Sequence, residues 1–324
     1  MKTSKGVTSS RVRIPDPPPH SQYIRLVTVL KAAMGVQLDK QALIDAIGRS
    51  GGKQSALDEA DALWAKLDCL KKTGRYGLLL KQLFKANDKS NFLALVLEAN
   101  FAYQFEAQGL ELTYEVKQYA QHKSSIDFLR EVSGGDKVYF ELRLLQQTLS
   151  ITDSIKAQLQ KCQMYRVVMG GQGEQDEVVR IQNTVLSKVQ DKHGNPTKFF
   201  STALNAVNVV VVDATDSILG TIDVHDCMLA TLGDPSVEEV YRRQVLGLFQ
   251  ADKAEYPQRV HDLATKYAHI RNTLHGVLFL FKKPGTGILA YQLEQYLMWN
   301  PARIDEARAH PICVDVASAV PTRQ

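Results

Sequence analysis

The chain predicts an α/β fold, and three stretches carry that prediction. Residues 21–90 place apolar side chains at helical spacing, residues 110–145 alternate and turn as strands do, and Asn208-Val209-Val210-Val211-Val212-Asp213 follows a helical stretch at about 174–191. A short, continuously apolar run of that kind reads as a strand buried on both faces, as in sheets covered by helices on each side.

The composition is that of an ordinary globular protein. The 324 residues carry 39 Lys+Arg against 35 Asp+Glu, a net charge of +4, and 44% are hydrophobic. This excludes a collagen-like or wholly disordered chain and any large acidic excess, and it leaves a nucleic-acid partner open. The length suits one large domain or two modest ones. No apolar run approaches the roughly 18 residues of a membrane-spanning helix. The opening MKTSKGVTSS has no apolar stretch behind it, so it does not read as a secretory signal. Cys69, Cys162, Cys227 and Cys313 are widely spaced and form no zinc pattern. Together these features predict a cytoplasmic protein with reduced thiols and no membrane partner.

Taken in order, residues 1–20 form a disordered tail, basic at Lys2, Lys5, Arg11 and Arg13 and broken by Pro15, Pro17, Pro18 and Pro19. Residues 21–88 form a helical N-terminal region. Ser50-Gly51-Gly52 ends its first unit, Leu57, Ala60, Leu63, Trp64 and Leu67 mark a helix over about 54–70, and a short helix holds Leu78 to Phe84. Residues 89–215 form an α/β core. It opens with a helix over 89–108, with Ser90 as N-cap and Gly109 as stop. A strand at 110–119 follows, then strands at 125–132 and 138–145 joined by Ser133-Gly134-Gly135-Asp136 as a hairpin. Helices at 153–163 and 174–191 and the valine strand complete it. Residues 216–324 form a C-terminal α/β extension, with helices at 237–249 and 254–272 and strands at 275–282 and 288–298 across a Pro284-Gly285 turn. Gly170-Gly171-Gln172-Gly173 lacks the Lys-Ser/Thr pair of a phosphate loop.

Three acidic residues fall in an informative order. Glu98 lies on the apolar helix, Asp127 opens one arm of the hairpin, and Glu141 lies on the other arm two residues before Arg143. Residues two apart on a strand share a face, so Glu141 and Arg143 project together while Phe140, Leu142 and Leu144 pack opposite. The hairpin brings Asp127 beside Glu141. Two adjacent carboxylates repel unless a cation or a shared proton sits between them, and a hard divalent ion with oxygen ligands suits such a pair. The plainer alternatives are a solvated Glu98, a strand-end Asp127 and a surface ion pair of Glu141 with Arg143. Asp213, Asp216, Asp223 and Asp226 with His225 match no metal loop and read as loop and helix-cap residues.

With these residues in place, the stretch LEANFAYQFEAQGLELTYEVKQY, then SSIDFLREV, then VYFELRLLQ, resembles the core of the PD-(D/E)XK nuclease superfamily, also called restriction-endonuclease-like. The helix with Gln182 and Lys188 and the strand VNVVVVDA extend the resemblance over residues 91–215. The resemblance implies a mixed central sheet flanked by helices and hydrolysis of a phosphodiester bond in nucleic acid, DNA rather than RNA. It implies Mg²⁺ or Mn²⁺ held by Asp127, Glu141 and the carbonyl of Leu142. Glu98 would be an outer ligand, and Arg143 would stand where the family has Lys. Ile126 replaces the Pro that often precedes the Asp, and Glu115-Val116-Lys117 is a second acid-X-basic tripeptide without a matching Asp before it. Lys117, Lys123 and Arg130, with Tyr114 and Tyr119, surround the site and could contact a nucleic-acid backbone. Arg is fixed in charge and cannot shuttle a proton. The implied alternative is therefore a degenerate member of the fold that binds nucleic acid or a protein partner without cutting. The flanking regions would shape a groove or a homodimer contact.

Overall fold

In a computed structural model of the chain, the described residues are 38–118, 124–145, 173–191, 193–199, 203–215 and 222–323. The expected tail at 1–20, the helical start at 21–37, the helix at 153–163, Tyr119, Lys123 and Asp216 lie outside them. The elements below all belong to one unit, Lys40–Gln324.

The N-terminal region folds as four helices, α1 (Lys40–Arg49), α2 (Gln54–Asp58), α3 (Ala60–Thr73) and α4 (Gly77–Lys85). Leu43 and Ile47 of α1, Leu63, Leu67 and Leu70 of α3, and Leu79, Leu80 and Leu83 of α4 form a shared interior. The long helix α5 (Lys89–Ala107) follows. Its N-cap is Asp88, whose carboxylate accepts from Asn91 N at 2.8 Å, so Ser90 is the second helical residue rather than the cap. A carboxylate is favoured there because it meets both a free N–H and the positive end of the helix.

Three antiparallel strands come next: β1 (Thr113–Val116), β2 (Ile126–Glu131) and β3 (Lys137–Leu144). The chain then passes through α6 (Gly173–Val189) to β4 (Ala206–Asp213), which lies parallel to β3. Helices α7 (Val224–Thr231), α8 (Val237–Arg243), α9 (Gln258–Lys266) and α10 (Ala268–Thr273) lead to β5 (Gly276–Lys282), β6 (Leu293–Trp299) and α11 (Glu306–Ala319). The six strands form one mixed sheet in the order β1-β2-β3-β4-β5-β6, so the C-terminal strands extend the same sheet. β5 is parallel to β4, and β6 returns antiparallel.

Every residue of β4 is buried, as the valine run demands. On one face Phe128 and Phe140 stack against Phe101 and Phe105 of α5, with Phe101 5.5 Å from Phe128 and 5.6 Å from Phe140. On the other face Val210, Val212, Val277 and Phe279 meet Val178, Ile181 and Val185 of α6 and the helices that follow. Fully burying one such side chain stabilises by about 1.5–3 kcal/mol.

Four expectations need correction, the first being the helix over about 54–70, which divides at Glu59. The helix expected over 237–249 ends at Arg243, where Gln244 turns left-handed at φ 50. The helix expected over 254–272 divides at Tyr267. The strand expected from 288 begins only at Leu293, because the N–H groups of Ile288, Leu289 and Ala290 are taken by the Glu59 carboxylate instead of a ladder. α11 falls in a stretch where the sequence predicts no element, and it forms although Pro311 sits inside it, where an interior Pro normally argues against a helix. Burial of Ala309, Ile312 and Val316 and an Asp305 N-cap hold it. Asp223 and Asp226 form a capping box at α7, which bears out the cap reading for those two residues, whereas Asp213 is the last residue of β4.

Candidate active site

The site forms where the β2–β3 ladder stops. Paired residues run from Glu131↔Lys137 to Phe128↔Phe140 and no further. One step on in that register sets Asp127 across from Glu141. With no strand partner beyond that point, the Leu142 N–H is taken by the Asp127 side chain, whose Oδ2 accepts at 2.6 Å. The aromatic cluster of Phe101, Phe105, Phe128 and Phe140 fixes α5 on the sheet. Glu98 lies one turn before Phe101 on the same stripe, because residues three apart on a helix share a face.

Glu141 is wholly buried. Lys188 Nζ lies 2.7 Å from its Oε1, and Lys198 Nζ contacts the same oxygen while donating to Ser125 O at 2.7 Å. Glu141 Oε2 is buried with no hydrogen-bond partner among the described residues. Burial alone would lower the Lys188 pKa. The Glu141 and Asp127 charges outweigh it and hold the ammonium above its ordinary value. Asp127 is pushed up by burial and then by the Glu141 charge, which Lys188 and Lys198 only partly offset. Glu98 is pushed up by burial and by Asp127, although its Oε2 accepts from the Tyr114 hydroxyl at 2.8 Å. The cluster thus holds more buried negative charge than its lysines satisfy, which favours a further cation or a proton.

The structure brings Glu98, Asp127 and Glu141 into one electrostatic group. It does not give Glu141 the cation expected at Arg143. That side chain is exposed, and its charge is felt at Lys188 instead. Arg130 projects from the opposite face to Asp127 by strand alternation and is committed to an ion pair with Asp315 of α11 at 2.9 Å. It is therefore not a free phosphate contact. Lys117 is exposed just past β1.

Two residues are added and one is reinstated. Lys198 comes from the segment after α6, where no sequence pattern points to it. Lys188 had a signal, since it continues the buried stripe Val178, Ile181, Val185 at 3- and 4-residue spacing, where a lysine is out of place. Glu115 lies opposite Asp127 on β1. Its backbone is left-handed at φ 54 within the strand, and its carboxylate is held by the Ser125 hydroxyl. Its charge raises Glu98 further, so the tripeptide that looked incidental contributes its acid to the group.

The residues fit a hard divalent cation in one respect: the donor set is oxygen-rich and one buried carboxylate oxygen lacks a partner. Among the described residues, no group of three or more His, Cys, Asp or Glu side chains is gathered closely enough to hold a metal. Comparison with protein-family models, with curated proteins and with solved structures finds no match to this chain.

Proposed function

We propose that this chain is a divalent-metal-dependent nuclease with a restriction-endonuclease-like core. The observation that carries the reading is the Asp127–Glu141 pair at the end of the β2–β3 ladder, with Lys188 beside it and a buried Glu141 oxygen that has no partner among the described residues. The order of the elements supports it too: helix, three antiparallel strands, helix, then a strand parallel to the third. Asp127 and Glu141, with the Leu142 carbonyl, would hold Mg²⁺ or Mn²⁺. Such an ion supplies positive charge to a phosphate oxygen and lowers the cost of activating water.

The chain's own residues do the rest. Lys188 is the cation at the reacting phosphate, replacing the role first read into Arg143, and its ammonium offsets developing negative charge there. Lys198 ties Glu141 to the Ser125 carbonyl and fixes the carboxylate's orientation. Glu98, hydrogen-bonded to Tyr114, orients a water through its carboxyl group. Arg143 and Lys117, both exposed, contact the nucleic-acid backbone on either side.

The test is cleavage of end-labelled linear and circular DNA, and of RNA, with Mg²⁺, Mn²⁺ or EDTA. Product that needs the ion and disappears in Asp127→Ala/Glu141→Ala is the expected result. Cleavage that persists in EDTA or in that double variant overturns the proposal. The second reading, binding without cleavage, is favoured by the two lysines already neutralising Glu141 Oε1 and by the lack of a gathered ligand set among the described residues. It predicts no product, with DNA retained at low salt and released as salt rises.

A further inference from the structure

A cavity of about 360 Å³ opens at the C-terminal ends of β3, β4 and β5, where Leu144, Asp213 and Lys282 line it. Its remaining wall comes from the turn after α1, from the start of α5 and from the loop before β6. That volume lies in the range of about 300–1,000 Å³ usual for small-molecule sites. The C-terminal edge of parallel strands is where α/β sheets place ligands.

Its lining combines charge with an apolar body. Lys53, Lys89 and Lys282 contribute three ammonium groups and Asp213 a carboxylate, and the Glu59 carboxylate behind the wall interacts with Lys282. Phe92 and Tyr291, only 3% and 5% exposed, form part of its apolar floor, with Lys282 Nζ 5.4 Å from the centre of the Tyr291 ring. Ser50 also lines the cavity. The residue is only 6% exposed, and its hydroxyl oxygen has no hydrogen-bond partner among the described residues. A buried hydroxyl left unpaired costs about 1–3 kcal/mol, so a ligand atom that completes it is rewarded. The turn that presents Ser50 is fixed by its glycines. Gly51 is left-handed at φ 73, and a Cβ on Gly52 would lie 2.5 Å from Ile47 Cγ2.

We infer that this cavity binds a nucleotide through its phosphate monoester, as a free mononucleotide or as the phosphorylated end of a strand. Lys53, Lys89 and Lys282 meet the phosphate charge, Ser50 donates to a ligand oxygen, and the base lies against Phe92 and Tyr291. The inference deepens the nuclease reading and rests on it only for the strand-end source. Leu144 follows Glu141 by three residues, about 10 Å along a strand. Leu144 projects from the face of β3 opposite Glu141, so a strand end seated here approaches the carboxylates from the other side of the sheet.

The test is equilibrium binding by calorimetry on the full chain in EDTA, so its failure is separate from failure of cleavage. The ligands are nucleoside monophosphates, the matching nucleosides, inorganic phosphate, and oligonucleotides with and without a 5′-phosphate. Binding that requires both phosphate and nucleoside is expected. Lys53→Gln/Lys89→Gln should weaken it about a hundredfold or more, at about tenfold for each charge-assisted hydrogen bond lost. Both lysines are exposed, so the fold should survive. Ser50→Ala should weaken binding without lowering the unliganded melting temperature. Preference for the mononucleotide assigns the free ligand, and preference for the phosphorylated oligonucleotide assigns the strand end. Equal affinity for phosphate alone, equal affinity for the unphosphorylated compounds, unchanged binding in the double variant, or no binding would each overturn the inference.

Discussion

His275 offers the sharpest test of the interior. It is 1% exposed, its ring Nδ1 accepts from the Asn208 backbone N–H at 3.1 Å, and its backbone N–H donates to Asn208 O at 2.8 Å. Burial, and then the charges of Arg308 and Arg303, depress its pKa from the ordinary 6.5 to about 4. The folded state therefore favours the neutral ring, and the unfolded chain takes up the proton first as pH falls. Stability from this group is full above pH ~6.5 and is lost on the way down to pH ~4. A shift of two and a half pH units corresponds to about 3 kcal/mol in all, of which about 2 kcal/mol is gone by pH ~5. His275→Asn keeps an acceptor near the Nδ1 position but does not titrate. The assay is the urea midpoint of both proteins from pH ~7 to ~5. The variant should start less stable, having lost ring volume, and the gap between the two should narrow by about 2 kcal/mol. Parallel curves, or a His275 resonance that titrates near 6.5, would refute the reasoning.

Other outcomes follow from the same contacts. If the nuclease reading holds, Lys188→Met should lower turnover by about 10²–10³-fold, as for loss of one preorganised charge donor. Arg143→Ala should act mainly on substrate affinity, and steady-state kinetics separates the two. Gly287→Ala should cost about 1–3 kcal/mol in denaturation midpoint, since its Cβ would lie 2.3 Å from Glu59 Oε2 and push that carboxylate off its N–H groups. Asn100→Leu should cost at least about 2 kcal/mol by the same measure. The buried amide donates to Val96 O and Leu289 O, and it accepts from Lys66, which burial holds near a pKa of about 8.

Local physics made much of the fold legible. The valine run, the Gly134-Gly135 hairpin and the stripe on α6 each encode an element within a few residues, and each formed where expected. The pairing of Asp127 with Glu141 was legible for the same reason, because a hairpin sets its own register. Contacts between remote segments were not. Lys198 reaches Glu141 across 57 residues, and nothing near Lys198 announces a carboxylate. The positive φ of Glu115 is a tertiary outcome in a residue type that gives no warning of it. α11 lies where the sequence predicts no element, and Pro311 signals a break there, whereas burial of Ile312 and Val316 outweighs the one lost hydrogen bond.

The Glu59 carboxylate closes onto backbone N–H groups as many as 231 residues later, and Lys66 donates to Tyr291 O across 225. During synthesis at about 5–20 residues per second, the partners of these side chains emerge roughly 10–50 s after the helices that carry them. For that interval the first helices can pack on one another, but their inward-facing carboxylate and ammonium have no backbone to hold. The amino-terminal third of the chain therefore waits on the ribosome for its last fifth, and a chain stalled before residue 288 would present an acidic and a basic side chain at a half-built surface.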